Sequence, residues 1–381
     1  MNKVPNLRFN EFSGEWESLK ISETLKIKHG RDQKKIQVED GIYPILATGG
    51  EIGRTNIPLY DKESVLIGRK GTIDKPIYMN SPFWTVDTLF YSEIKNNMVP
   101  KFIFYKFQNI NWRKYCEASG VPSLSASTIE GIRYNVLQKQ EQEKIASFFS
   151  LIDKKIELQT EKVEELTNYK KGIMQKIFSQ ELRFKDENGN EYPEWEKKEL
   201  KDMIKLTIDN RGKTPPITQC GIPLLEVNSL GSIYPDFSKI NKFVDEETYN
   251  DWFRNHIEEG DLLFTTVGAT GLVSLVDSTK ACIAQNIVGF RFKEGFKSEF
   301  MYNLFNYREN IKRIKAIEMG AVQPSVKVTQ LIKLKFLIPS IQEQIKIGNT
   351  LSRIDKKINK EKEKLELLNQ YKKGLLQQMF I

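Results

Sequence analysis

Gly212-Lys213-Thr214 carries the residue types of a phosphate-binding loop, in which backbone N–H groups and a lysine cradle a nucleotide. That loop needs a glycine five residues before the Gly-Lys pair, and position 207 is Thr. The segment also runs into Pro215-Pro216, a poor opening for the helix that should follow. Gly49-Gly50-Glu51-Ile52-Gly53 lacks the GxGxxG spacing and reads as a hairpin turn. A DNA methyltransferase would show an Asn/Asp-Pro-Pro-aromatic motif, and Thr214-Pro215-Pro216-Ile217 lacks both the polar first residue and the ring. No GxSxG occurs, and the two histidines, His29 and His256, stand in unrelated contexts, so no catalytic triad emerges. Cys116, Cys220 and Cys282 are far apart with no CxxC, which excludes a disulfide framework or a zinc cluster. The residues point to a binding protein, not an enzyme.

Donors and cations for binding do cluster. In the first half they are Lys28, Arg31, Lys34 and Lys35, then Arg54 with Asn56, then Arg69 with Lys70. Ser123 and Ser125 follow in the loop Ser119-Gly120-Val121-Pro122-Ser123-Leu124-Ser125. The second half offers Asn210, Arg211, Lys213 and Thr214, then Asn228, Gln285, Asn286, Lys312 and Lys315, with Gln323 and Ser325 in a second Pro-Ser loop. Arg and Lys suit phosphates and guanine edges, while Asn and Gln can make paired hydrogen bonds to adenine. Net charge is +8, which favours a polyanionic partner. Its distribution is uneven: +4 over residues 1–137, +1 over 138–180, −1 over 181–338 and +4 over 339–381. Any basic surface in the third segment must therefore come from local clustering.

Apolar residues make up 39% and charged residues 28%, an ordinary globular balance in a 381-residue chain. The longest nearly uncharged run, 262–276, is broken by threonines and glycines and is too short to span a bilayer. The opening MNKVPNLRFNEF has no apolar core of a secretory signal. A soluble, cytoplasmic protein with no membrane partner is the expectation.

The chain repeats itself. Residues 141–178 lie over 343–380 at a constant offset of 202, with 20 of 38 positions identical, including IDKKI and YKKG. The same offset superposes Pro122 on Pro324 and Ser123 on Ser325. Each half also opens alike: Leu7-Arg8-Phe9 leads to Glu15-Trp16-Glu17, and Leu182-Arg183-Phe184 to Glu194-Trp195-Glu196. Between these anchors the halves diverge. The two tryptophans are expected in the core.

In the repeated segments Ile145, Phe149, Ile152, Ile156, Val163 and Leu166 match Ile347, Leu351, Ile354, Ile358, Leu365 and Leu368. Their 4-3-4 spacing is a heptad seam sustained for about five heptads. It is broken at matching places, Gln159 with Glu361 and Lys170 with Lys372, where polar residues can fix register. A 38-residue helix is about 57 Å long, more than one small core needs, so a paired-helix spacer fits better than a hairpin packed on a core. Around the helices, short apolar runs (43–48, 64–68, 88–94, 222–227, 261–267, 287–292) alternate with glycine turns and predict strands, followed by helical stretches at 99–117 and 298–318. The predicted organisation is a mixed lobe over 1–137, a helix over 138–180, a second lobe over 181–338 and a second helix over 339–381.

The LRF…EWE openings, the PSLS and PSVK loops and the paired EQxKI…IDKKI…YKKG helices resemble the specificity (S) subunit of type I restriction–modification systems, over essentially the whole chain. The resemblance implies an α+β fold with two mixed target-recognition lobes, separated by two long antiparallel coiled-coil helices in a pseudo-two-fold internal repeat. Each lobe would read one half of a bipartite site in double-stranded DNA, and the helices would set the spacing, about 34–36 Å or one DNA turn. It also implies a non-catalytic chain that binds no cofactor itself. Two methyltransferase (M) subunits using S-adenosylmethionine would dock on the duplicated helices, joined by restriction/translocase (R) subunits. The different class of reading that the helices alone allow is a coiled-coil scaffold without a nucleic-acid role.

Overall fold

In the first lobe the run Ser64–Gly68 is buried along its whole length and lies inside a four-stranded antiparallel sheet, ordered Leu25–Lys28, Leu89–Ile94, Ser64–Gly68, Ile77–Met79. The second lobe builds the same order from Ile204–Asp209, Ile287–Phe292, Leu262–Thr265 and Val273–Leu275. A second sheet in each lobe contains one parallel pair, Tyr43–Ala47 with Trp84–Thr85 and Ile222–Leu225 with Cys282–Ile283. The halves that diverge in sequence therefore share one topology. This is a computed structural model, and it describes residues 4–210, 212, 214–320 and 322–380.

The chain divides into two compact units, one formed by Met1–Glu161 with Glu363–Ile381 and the other by Lys162–Lys362. Each unit thus holds one end of each long helix, Lys139–Phe178 and Ile341–Met379. In the first unit Ile145, Phe149 and Ile152 join Leu375, Leu376, Met379 and Phe380 in a core shared with the lobe. In the second, Ile347 and Leu351 join Met174, Ile177 and Phe178 in the same way. The ends of the seam thus serve the lobe cores as well as the helix pair. Along the remainder Ile156, Val163, Leu166, Ile354, Ile358, Leu365 and Leu368 are buried or half-buried. Within the second unit Lys162 meets Glu361 and Lys170 meets Asp355, so the helices run antiparallel there.

The repeated motifs are latches between lobe and helix. Arg8 reaches Glu141 at 2.7 Å, and Arg183 reaches Glu343 at 3.0 Å; both carboxylates are fully buried. These hydrogen bonds hold both guanidiniums above their usual pKa range. The next residue acts equally in both copies. Gln142 accepts from the Val99 N–H and donates to the Leu137 carbonyl, while Gln344 accepts from the Lys297 N–H and donates to the Pro339 carbonyl. The accepting oxygen caps the helix that follows each sheet, Pro100–Asn109 or Ser298–Asn306, satisfying an N–H with no helical partner. The EWE segments enter two-stranded ladders, Glu17–Lys20 with Arg133–Val136 and Glu196–Glu199 with Lys335–Ile338. Trp16 and Trp195 beside them are buried, as expected.

Both predicted lobe helices are shorter than their sequence pattern suggests. The 99–117 stretch ends at Asn109 and resumes as a 3-10 turn, because the buried Trp112 indole folds back to donate to the Phe107 carbonyl at 2.8 Å. The 298–318 stretch breaks at Tyr307, whose ring stacks on Phe178. There the Asn310 amide donates to the Leu304 carbonyl, which also accepts from the Tyr307 N–H.

Candidate nucleic-acid interface

In each lobe a Pro-Ser loop is clamped to a glycine loop that leaves the central strand. In the first lobe the Gly71 N–H donates to the Pro122 carbonyl at 2.8 Å, and the Leu124 N–H to the Arg69 carbonyl at 2.9 Å. The second lobe repeats both contacts, Gly268 to Pro324 at 2.9 Å and Val326 to Thr266 at 2.8 Å. Gly71 and Gly268 have φ of +84° and +82°, the left-handed region in which a side chain is strained. A third segment joins from the turn before the next strand. The Arg69 N–H donates to the Thr88 carbonyl in one lobe, and the Thr266 N–H to the Asn286 carbonyl in the other. The backbone frame is common, yet its residues differ: the half-buried Arg69 and exposed Lys70 in the first lobe stand where the second has the buried Thr266, whose hydroxyl donates to the Asn286 carbonyl, and the half-buried Val267. A fixed frame with exchangeable side chains can read two different ligands of one class.

Of the sequence candidates, the frame gathers Arg69, Lys70 and Ser123 in the first lobe and Gln285, Asn286, Gln323 and Ser325 in the second. Arg31 is tied instead to the strand Trp84–Thr85 through its backbone, which donates to the Thr85 carbonyl and accepts from the Trp84 indole, while its side chain stays exposed. Lys34 and Lys35 are exposed just before the strand Gln37–Val38, and Lys28 pairs with Glu93 at 3.2 Å.

Other candidates are already engaged in holding the fold. Arg54 pairs with Glu51 and donates to the Gly41 carbonyl; Asn56 accepts from the Ile42 N–H. Ser125 caps the helix Ala126–Gly131 by accepting from the Thr128 N–H, and donates to Glu117. Arg69 itself pairs with Asp87. Lys312 pairs with Glu309, and Lys315 is exposed on the same helix, Arg308–Lys315. Asn228 is exposed in a 3-10 turn, Thr214 is exposed in a loop, and the Asn210 amide oxygen is buried without a hydrogen-bond partner. Arg211 and Lys213 lie outside the described residues.

Sequence reasoning missed Gly71 and Gly268 as the clamp, along with Thr266. The signal available was the glycine after each central-strand run, visible only as turn punctuation. Among the described residues no group of three or more His, Cys, Asp or Glu could hold a metal ion. Among them, too, no helix is long and apolar enough to cross a membrane.

The family model for the type I restriction modification DNA specificity domain matches residues 13–168 and again residues 192–370. The chain belongs to this family. The two matches cover both lobes and most of both long helices, so the specificity subunit carries its family's domain twice. It is 24% identical, over 92% of its length and 89% of the relative's, to the type I restriction enzyme MjaVIII specificity subunit of Methanocaldococcus jannaschii. Its fold is similar to the crystal structure of a type I restriction–modification S subunit from M. genitalium, with a TM-score of 0.66, 16% identity and 99% of each chain covered. A chain from a structure on complex assembly and conformational transition of the type I system matches with a TM-score of 0.55 at 12% identity, covering 95% of this chain and 96% of that one. The specificity subunit is the non-catalytic member of its system; the catalytic activities reside in other subunits.

Proposed function

We propose that this specificity subunit reads a bipartite site in double-stranded DNA, one half with each lobe. Residues 1–137 and 181–338 are the two target-recognition domains, and 138–180 and 339–381 are the spacer helices that set the distance between half-sites. The observation that carries this reading is the shared clamp, Gly71 with Pro122 and Gly268 with Pro324, displaying different side chains in an otherwise common frame. Phosphate contacts from the exposed cations supply salt-dependent affinity, and the clamped loops meet base edges. The duplicated helices offer two equivalent docking surfaces, so two methyltransferase subunits bind, with restriction/translocase subunits completing the cytoplasmic complex. S-adenosylmethionine belongs to the methyltransferase, where the target base is flipped and methylated. A scaffold role for the helices alone would leave the matching clamps without a purpose.

The test is modified-base sequencing of DNA from cells that express the chain with its methyltransferase partner. A methylated motif made of two defined halves around an undefined spacer is expected. An active, bound methyltransferase that leaves no such motif would refute the reading.

A further inference from the structure

On the helix pair of the first unit four apolar side chains stand in solvent: Leu151 (72% exposed), Leu158 (52%), Leu367 (63%) and Tyr371 (57%). Singly, an exposed leucine is ordinary on a protein surface. These four are gathered. Leu151 and Leu158 each follow a seam residue, Phe149 or Ile156, by two positions, as Leu367 follows Leu365. Tyr371 lies one turn beyond Leu367, so all four occupy one flank of the heptad pattern. In this unit Phe149 stacks on Phe380 while Asp153 meets Lys372, so the helices run antiparallel and the same flank of each faces the same side. That register puts Leu367 level with Leu158, and Tyr371 between Leu151 and Leu158. Tyr105 of the lobe reaches Ser150 and Asp153, which lie on the other flank. The leucine face therefore points away from the lobe core.

The second unit has the same flank with different side chains. At the offset of 202, Leu151, Leu158 and Leu367 become Arg353, Lys360 and Glu165, all exposed. Of the four, Tyr371 keeps its identity, as Tyr169, which is 58% exposed. We propose that this flank is where the methyltransferase subunits dock, and that the two sites are unequal: a tighter one on the leucine face of the first unit and a weaker, charge-dependent one on the second. The proposal rests on the reading of this chain as a specificity subunit with duplicated docking surfaces, which repeat in backbone but not in side chains. One partner surface has to fit both. It offers apolar groups to Leu151, Leu158 and Leu367 around a common contact with the tyrosine. It also carries carboxylates, within reach of Lys155 in one unit and of Arg353, Lys357 and Lys360 in the other. Covering the leucines removes apolar surface from water, an attraction that salt does not screen. Against the second unit the same surface gains ion pairs, which salt weakens, and the aliphatic stems of Arg353 and Lys360 replace only part of the leucine contact.

The experiment uses the full chain assembled with its methyltransferase partner, its mass followed by sedimentation as NaCl is raised. The complex is expected to pass from two methyltransferases per chain to one, which stays bound to about 1 M salt, where screening acts within roughly 3 Å. The two dissociation constants should differ on the order of tenfold or more. Giving the first unit the residues of the second, Leu151→Arg with Leu158→Lys and Leu367→Glu, should make both methyltransferases leave together at the lower salt. The reverse exchange, Arg353→Leu with Lys360→Leu and Glu165→Leu, should hold both at the higher salt. All six positions are exposed, so neither exchange empties a core. The proposal is overturned if the unaltered complex loses both methyltransferases together, or if the first variant still keeps one at the higher salt. It is also overturned if the chain alone dimerises and the first variant abolishes that dimer without changing methyltransferase binding, since the face then meets a second copy. A chain that binds no methyltransferase at any salt would instead refute the docking reading itself, and the inference with it.

Discussion

Lys170 places its ammonium 2.6 Å from the carboxylate of Asp355 across the pair of long helices. The repeat gives the same contact in the other unit, where Lys372 meets Asp153 at 2.7 Å, each residue 202 positions from its counterpart. Each lysine also lies over a tyrosine ring, Lys170 over Tyr302 and Lys372 over Tyr105. The breaks at Lys170 and Lys372 are thus cross-helix ion pairs with an aromatic wall, the kind of contact that fixes register. Lys170→Met should lower the unfolding midpoint of the second unit, because it leaves Asp355 in a largely buried setting. The exchanged double variant Lys170→Asp with Asp355→Lys should recover part of that loss. A double-mutant cycle read by urea unfolding should give a coupling of about 1–3 kcal/mol.

The buried latches should be the costlier contacts to break. Glu343 is fully buried and accepts from both Arg183 and the Trp195 indole. Removing the arginine strands a carboxylate out of water, so Arg183→Ala should cost about 3 kcal/mol, and Arg8→Ala a similar amount at Glu141. Urea unfolding of each variant checks this. Replacing both members, Arg183→Met with Glu343→Gln, should cost less than the arginine change alone.

Exposed cations on the first lobe should act through salt. Arg31→Ala, Lys34→Ala and Lys35→Ala in the assembled complex should each weaken DNA binding and reduce the slope of log affinity against log salt by about 1. A titration to 200 mM salt with an unchanged slope would remove that residue from the phosphate contacts. Arg54→Ala should lower stability instead, since its side chain holds the Gly41 turn.

The thiols should separate by burial. Burial pushes the Cys282 thiol up to about 12, so it carries almost no thiolate at neutral pH. Cys220 is exposed. Iodoacetamide on the native protein should therefore label Cys220 and spare Cys282, with both labelled after denaturation; mass spectrometry of the peptides reads the outcome.

Much of the architecture was legible because its signals are local. The heptad spacing from Ile145 to Leu166 and from Ile347 to Leu368 marks the long helices, and runs such as Ser64–Gly68 mark the strands. The latches were visible as repeated letters but not as contacts, since Arg8 and Glu141 are 133 positions apart and nothing in either segment names its partner. The same blindness affects the candidate interface. Arg54, Asn56 and Ser125 have the residue types of base readers, but backbone groups and carboxylates brought near by the fold already engage them. The clamp was hidden for another reason: it consists of backbone hydrogen bonds from Gly71 and Gly268, and a glycine in sequence signals only a turn.

The central claim, one half-site per lobe, is tested most directly by exchanging residues 1–137 for the first lobe of a related specificity subunit. Modified-base sequencing would then read the motif with the original methyltransferase partner, beside the unaltered chain. The account predicts a split motif in which one half changes and the other is retained. A motif that changes in both halves, or in neither, would contradict it.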